Sequence, residues 1–97
     1  MKKKCHSLKE VRKNIDRIDR KLVPLIGERE FYVKESLKFK YKKKDIVDKK
    51  RIIEVLKKIK LLSKKSSVNT KTTETFWKFM IKVFIDLEYK LFNKIKK

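Results

Sequence analysis

The stretch Leu8–Tyr41, LKEVRKNIDRIDRKLVPLIGEREFYVKESLKFKY, decides the fold. Apolar residues recur through it as Leu8, Val11, Ile15, Ile18, Leu22, Leu25, Ile26, Val33 and Leu37, mostly three or four apart. That is the period of one long amphipathic α-helix. Ser7 is placed to cap its start, and Glu10 stands three residues on, at the spacing of a capping box. Pro24 and Gly27 lie inside the pattern, where proline removes a backbone hydrogen bond and glycine weakens the helix. The apolar phase continues through Val33 and Leu37, so the reading is a kink and not a break.

Outward from this helix, the polar stretch Lys42–Asp48 separates it from a second pattern at Ile52, Ile53, Val55, Leu56, Ile59 and Leu62, which Asp48 is placed to cap. Ser63–Thr73, rich in Ser, Thr, Lys and Asn, reads as the next connection. Phe76, Trp77, Phe79, Met80, Ile81, Val83, Phe84, Leu87 and Leu91 then make a third helix to about Ile95. With one Gly and one Pro in 97 residues there is almost no turn chemistry for β-hairpins, so the class is all-α, three helices in a single domain over residues 1–97. Residues 1–7 are expected to be disordered. A first helix of ~34 residues would be ~50 Å long, more than one protomer of this size can cover. The expected solution is a second copy packed alongside, an intertwined two-fold homodimer.

The chain carries 31 Lys+Arg against 12 Asp+Glu, a formal charge of +19. On a small domain that points first to nucleic acid or an anionic surface. The lysines, however, are spread from Lys2 to Lys97 as pairs and triplets, and only five cations are arginine: Arg12, Arg17, Arg20, Arg29 and Arg51. A bias toward lysine explains the surplus as well as a polyanion partner does. It also makes the arginines informative, because a planar fork that grips a carboxylate with two bonds is what lysine cannot replace. The single cysteine, Cys5, has no disulfide partner in the chain, and no Cys/His cluster is spaced for a metal. Met1–Lys4 begin like a signal peptide, but no apolar run follows, and no stretch is long enough to span a membrane. The expectation is a cytoplasmic protein that needs no cofactor and no metal.

Arg29 and Lys40 are eleven residues apart, which on a continuous helix puts them within ~20° of one face. Arg12, seventeen residues before Arg29, falls ~100° off that face and ~25 Å away, so it can join such a site only from another subunit. Asp48 and Arg51 open the second helix, and Glu88 interrupts an apolar part of the third. Taken singly, each has the plain reading of a surface ion pair or a solvated face. Their order and spacing resemble the all-helical chorismate mutases, the AroQ class. Val11-Arg12-Lys13-Asn14-Ile15-Asp16-Arg17-Ile18-Asp19 looks like that family's opening R-x-x-I-D-x-I-D, Glu28-Arg29-Glu30 like its E-R segment with Lys40 eleven residues later, and Asp48-Lys49-Lys50-Arg51 with Val55-Leu56 like its D-x-x-R-x-x-x-V-L. Glu88 falls where the family has Gln or Glu. The resemblance covers about Leu8 to Phe92.

The resemblance implies a pericyclic isomerase turning chorismate into prephenate for phenylalanine and tyrosine synthesis, with a dianionic substrate and no cofactor. Arg12 of the partner subunit, Arg29 and Arg51 would grip the two carboxylates. Lys40 and Glu88 would hydrogen-bond the ether oxygen, Glu88 only when protonated, and Asp48 would lie beside the substrate hydroxyl. Two positions depart from the mutase pattern: Ile52 stands where many members carry a Glu that binds the hydroxyl, and Phe84 where a Ser lies near a carboxylate. There, and in Tyr32-Val33, Phe39-Lys40 and Phe84-Ile85, the chain is similar to the branch containing isochorismate pyruvate lyase, which makes salicylate. That reaction is the first alternative, a basic helical nucleic-acid module the second. The Lys42–Asp48 loop, beside Lys40, is expected to act as a lid.

Overall fold

The computed structural model describes residues 2–95, Ile95 by its backbone alone. Three α-helices appear: α1 (Leu8–Ser36), α2 (Lys49–Lys65) and α3 (Thr70–Ile95). By their contacts the residues form two units, one ending at Tyr32 and one beginning at Val33.

α1 starts as its sequence indicates. Ser7 Oγ accepts from the Glu10 amide at 3.1 Å, and the Glu10 carboxylate accepts in return from the His6 amide at 3.0 Å, one residue before the usual partner of a capping box. The helix runs unbroken through Pro24 and Gly27. It buries no residue: its large apolar side chains, from Leu8 to Tyr32, are 39–67% exposed, although they keep the period of a packed face.

The end of α1 differs from the expectation of a helix to about Tyr41. The helix stops at Ser36, a 3-10 turn follows over Leu37–Phe39, and Lys40 is extended at φ −113°, ψ 114°. The cause is packing. Leu37 and Ile46 are both buried against Phe92, with Ile85, Tyr89 and Leu91 around them, and a chain that continued as helix past Leu37 could not return nine residues later to seat Ile46 in the same cluster. Lys40 has therefore left the helix, and the eleven-residue phase relation to Arg29 does not hold. The stretch expected to be a lid is likewise tied down. A second 3-10 turn spans Lys43–Asp45, the Lys42 amide donates to Asp45 Oδ2 at 3.0 Å, and Ile46, 3% exposed, pins the segment to α3.

α2 and α3 pack against each other. Asp48 caps α2, its Oδ1 accepting from the Arg51 amide at 3.0 Å. The connection to α3 is only four residues, Ser66 to Asn69, where the Ser/Thr content had indicated Ser63–Thr73. Ser63 and Thr73 lie inside helices and bond to each other across the pair, Ser63 Oγ also donating to the Ile59 carbonyl at 2.7 Å. Hydroxyls can turn back onto helix carbonyls in this way, so a Ser/Thr run is compatible with helix ends as well as with loop. The turn itself is a Schellman motif: the Val68 amide donates to the Ser63 carbonyl at 2.9 Å and the Ser67 amide to the Lys64 carbonyl at 3.3 Å. Asn69 then caps α3, its Oδ1 accepting from the amides of Lys71 and Thr72.

Ser67 holds the left-handed position of that motif at φ 56°. A side chain with a Cβ is strained there and glycine is not. Ser67→Gly is expected to raise stability by about 0.5–1 kcal/mol, read as a Tm a few degrees higher in a thermal melt. An unchanged or lower Tm would show that the turn carries no strain.

Candidate active site

α3 builds the site around a buried carboxylate. Phe84, Glu88 and Phe92 follow one another at intervals of four, on one stripe of the helix, and all three are buried, Glu88 at 5% exposure. A carboxylate in that stripe costs several kcal/mol in lost hydration unless a cation and hydrogen bonds replace the water. Lys40 supplies the cation: its Nζ lies 2.7 Å from Glu88 Oε1, with side-chain exposures of 22% for the lysine and 7% for the glutamate. Ser36 Oγ lies 3.2 Å from the same oxygen and 2.6 Å from the Val33 carbonyl. The three residues join the end of α1, the segment after its 3-10 turn, and the middle of α3.

Beside this cluster is an open cleft of about 670 Å³, bordered by Ser36, Phe39, Lys40, Lys44, Asp48 and Lys49, among others. Three lysines on its wall suit an anion or a polar oxygen. Asp48 also faces it while serving as the cap of α2. One turn on, the Arg51 guanidinium pairs with Glu54 on the same exposed face of α2, and Lys58 approaches Glu54 at 3.6 Å. The Arg51 hydrogen bond, then the charge of Lys58, hold the Glu54 carboxyl below the usual carboxylate range.

Of the residues singled out from the sequence, Lys40 and Glu88 are in direct contact, and Lys40 and Asp48 share the cleft. Ile52 is half-buried on α2 and Phe84 is buried on α3, and neither is among the described side chains that line the cleft. Arg12, exposed, and Arg29, half-buried, both lie on α1 before Tyr32. Ser36 went unnoticed in the sequence. Its one signal was position: a hydroxyl between Val33 and Leu37, on the apolar side of the pattern, four residues before Lys40. Among the described residues no group of three His, Cys, Asp or Glu side chains comes together that could hold a metal ion. No described helix is long and apolar enough to cross a membrane.

Chemically, the cluster offers ammonium N–H donors aimed from a largely dehydrated position, and a carboxyl that is an acceptor when ionised and a donor when protonated. That capacity fits a reaction driven by placement and by charge on a departing oxygen.

Comparison with individual curated proteins gives no match. A family model, chorismate mutase type II, matches residues 11–89. The match begins one residue before Arg12 and ends one residue after Glu88, so it encloses every candidate site residue, and with most of the chain inside it, the protein belongs to the type II chorismate mutases, the all-helical isomerases that rearrange chorismate to prephenate.

Proposed function

We propose that this rearrangement takes place at the Lys40–Glu88 cluster and that a second copy of the chain completes the site with Arg12. The observation that carries the reading is the ion pair itself, a lysine and a nearly dehydrated carboxyl side by side at a cationic cleft. The reaction breaks a C–O bond while a C–C bond forms, with no covalent intermediate. What a protein can contribute is a folded substrate conformation and donors at the oxygen where negative charge grows. Lys40 is such a donor. Glu88 is one only as the acid, since a carboxylate would repel the developing charge. Arg29, Arg51 and Arg12 of the partner subunit take the two carboxylates, which requires Arg51 to exchange Glu54 for substrate. An exposed pair of this kind is screened by water and contributes little, so the exchange is easily made.

The second copy is supported by the exposed apolar stripe of α1 and by Phe76, Phe79 and Val83 of α3, which together leave more apolar surface open than a soluble monomer ordinarily shows. A reducing, cytoplasmic setting is consistent with Cys5 having no disulfide partner. A second reading keeps the site and changes the reaction: Ile52 offers no acceptor to a substrate hydroxyl, which favours the elimination of pyruvate from isochorismate. Following chorismate loss alongside salicylate fluorescence from isochorismate separates the two, and a folded dimer that consumes neither substrate overturns both.

Lys40→Ala is expected to lower turnover about 100-fold or more and also to lower the Tm, because it leaves the Glu88 charge buried without a partner. Adding Glu88→Gln should recover the Tm and leave turnover low. Recovery of both together would make Lys40 a structural residue only. A subunit-mixing experiment tests the shared site. Arg12→Ala and Lys40→Ala chains, each inactive alone, should on mixing regain about a quarter of wild-type activity, because half the dimers then hold one intact site. No recovery would place Arg12 in its own protomer's site or in none.

A further inference from the structure

Ser36 is the last residue of α1, and its hydroxyl stands between two acceptors, the Val33 carbonyl at 2.6 Å and Glu88 Oε1 at 3.2 Å. A serine has one proton to give. In the arrangement described, the shorter contact takes it, and Glu88 Oε1 is satisfied by Lys40 at 2.7 Å. The two donors thus converge on a single oxygen of the carboxyl, Oε1. The chemistry of the site asks Lys40 to turn to the ether oxygen of a bound substrate. Glu88 Oε1 then loses its cation, and the Ser36 hydroxyl, already in contact with that oxygen, reaches it by rotation about its own C–O bond with no movement of the chain.

We propose that Ser36 is a positioning residue: its hydroxyl turns from the Val33 carbonyl to Glu88 Oε1 when substrate draws Lys40 away, and so keeps Glu88 Oε2 as the oxygen that carries the proton toward the substrate. The inference rests on the reading of Lys40 and Glu88 as the catalytic pair. It explains why a small hydroxyl occupies a position that the apolar pattern around Val33 and Leu37 would otherwise fill with an aliphatic side chain. The wall of the adjoining cleft carries Lys44, Asp45, Asp48 and Lys49, and Lys43 lies 5.8 Å from the ring centre of Tyr89, next to Glu88 in the chain. None of these is a neutral group that can rotate between two acceptors.

The test compares wild type, Ser36→Ala and Ser36→Thr as full chains, with thermal melts to establish that each is folded. With chorismate, Ser36→Ala is expected to lower kcat about 3- to 10-fold while KM changes little, because a positioning hydrogen bond is lost in the transition state and not in ground-state binding. Ser36→Thr, which keeps the hydroxyl, should restore kcat. A readout independent of turnover follows the Glu88 side-chain carboxyl by ¹³C NMR with malate as a dianionic probe. Loss of the donor should move the Glu88 carboxyl shift of the malate-bound protein, read at a single pH, in Ser36→Ala, and Ser36→Thr should return it. If wild type converts chorismate but Ser36→Ala matches it in kcat and in carboxyl shift, the positioning role is overturned while the function stands. If wild type converts nothing, the function falls, and the carboxyl shift still decides whether Ser36 acts on Glu88: a moved shift supports it and an unchanged one overturns it.

Discussion

The arrangement of the chain from Val33 onward depends on one buried charge. Glu88 sits between Phe84 and Phe92 on the inner stripe of α3, where a leucine would pack at no electrostatic cost. Once a carboxylate is there, something positive has to be brought to it, and Lys40 is the cation in contact with it. Lys40 meets it from beyond the end of α1: the helix ends at Ser36, the backbone turns through Leu37–Phe39, and Ile46 follows into the cluster with Leu37 and Phe92. The pair is not kept for stability, since buried ion pairs rarely outperform an apolar replacement of the same volume. It lies at the edge of a cationic cleft, which Lys40 borders.

The large positive charge has a modest place beside that pair. Most of the lysines are on solvent faces, and surface pairs such as Lys38–Glu35, Lys58–Glu54 and Lys78–Glu74 are spaced three or four along the chain and contribute little, because water screens them. What the surplus offers a dianionic substrate is a favourable long-range field that raises the encounter rate and weakens with salt.

Local features were readable from the residues. Ser7 with Glu10 and Asp48 with Arg51 are caps whose hydrogen bonds close within four residues, so their partners are written next to them in the chain. The α1 pattern announces a helix with an apolar face for the same reason. Two readings went astray where a distant contact overrode a local pattern. The Ser/Thr run looked like loop, yet Ser63 and Thr73 spend their hydroxyls on helix carbonyls and on each other. The apolar phase through Leu37 looked like continuing helix, yet Leu37 is apolar because it packs on Ile46 and Phe92.

The sequence by itself determined the helical class, the caps, the apolar stripe of α1 and, through its resemblance to a family, the candidates for the site. Only the tertiary structure decided that Lys40 leaves the helix, that it meets a carboxyl 48 residues away, and that Ser36 is the third member of the cluster. The physical reason is the same in each case. A helix period or a cap is enforced by neighbours within one or two turns, whereas the partner of a buried charge is chosen by the packing that removes its water, and that packing exists only when the distant segments have come together.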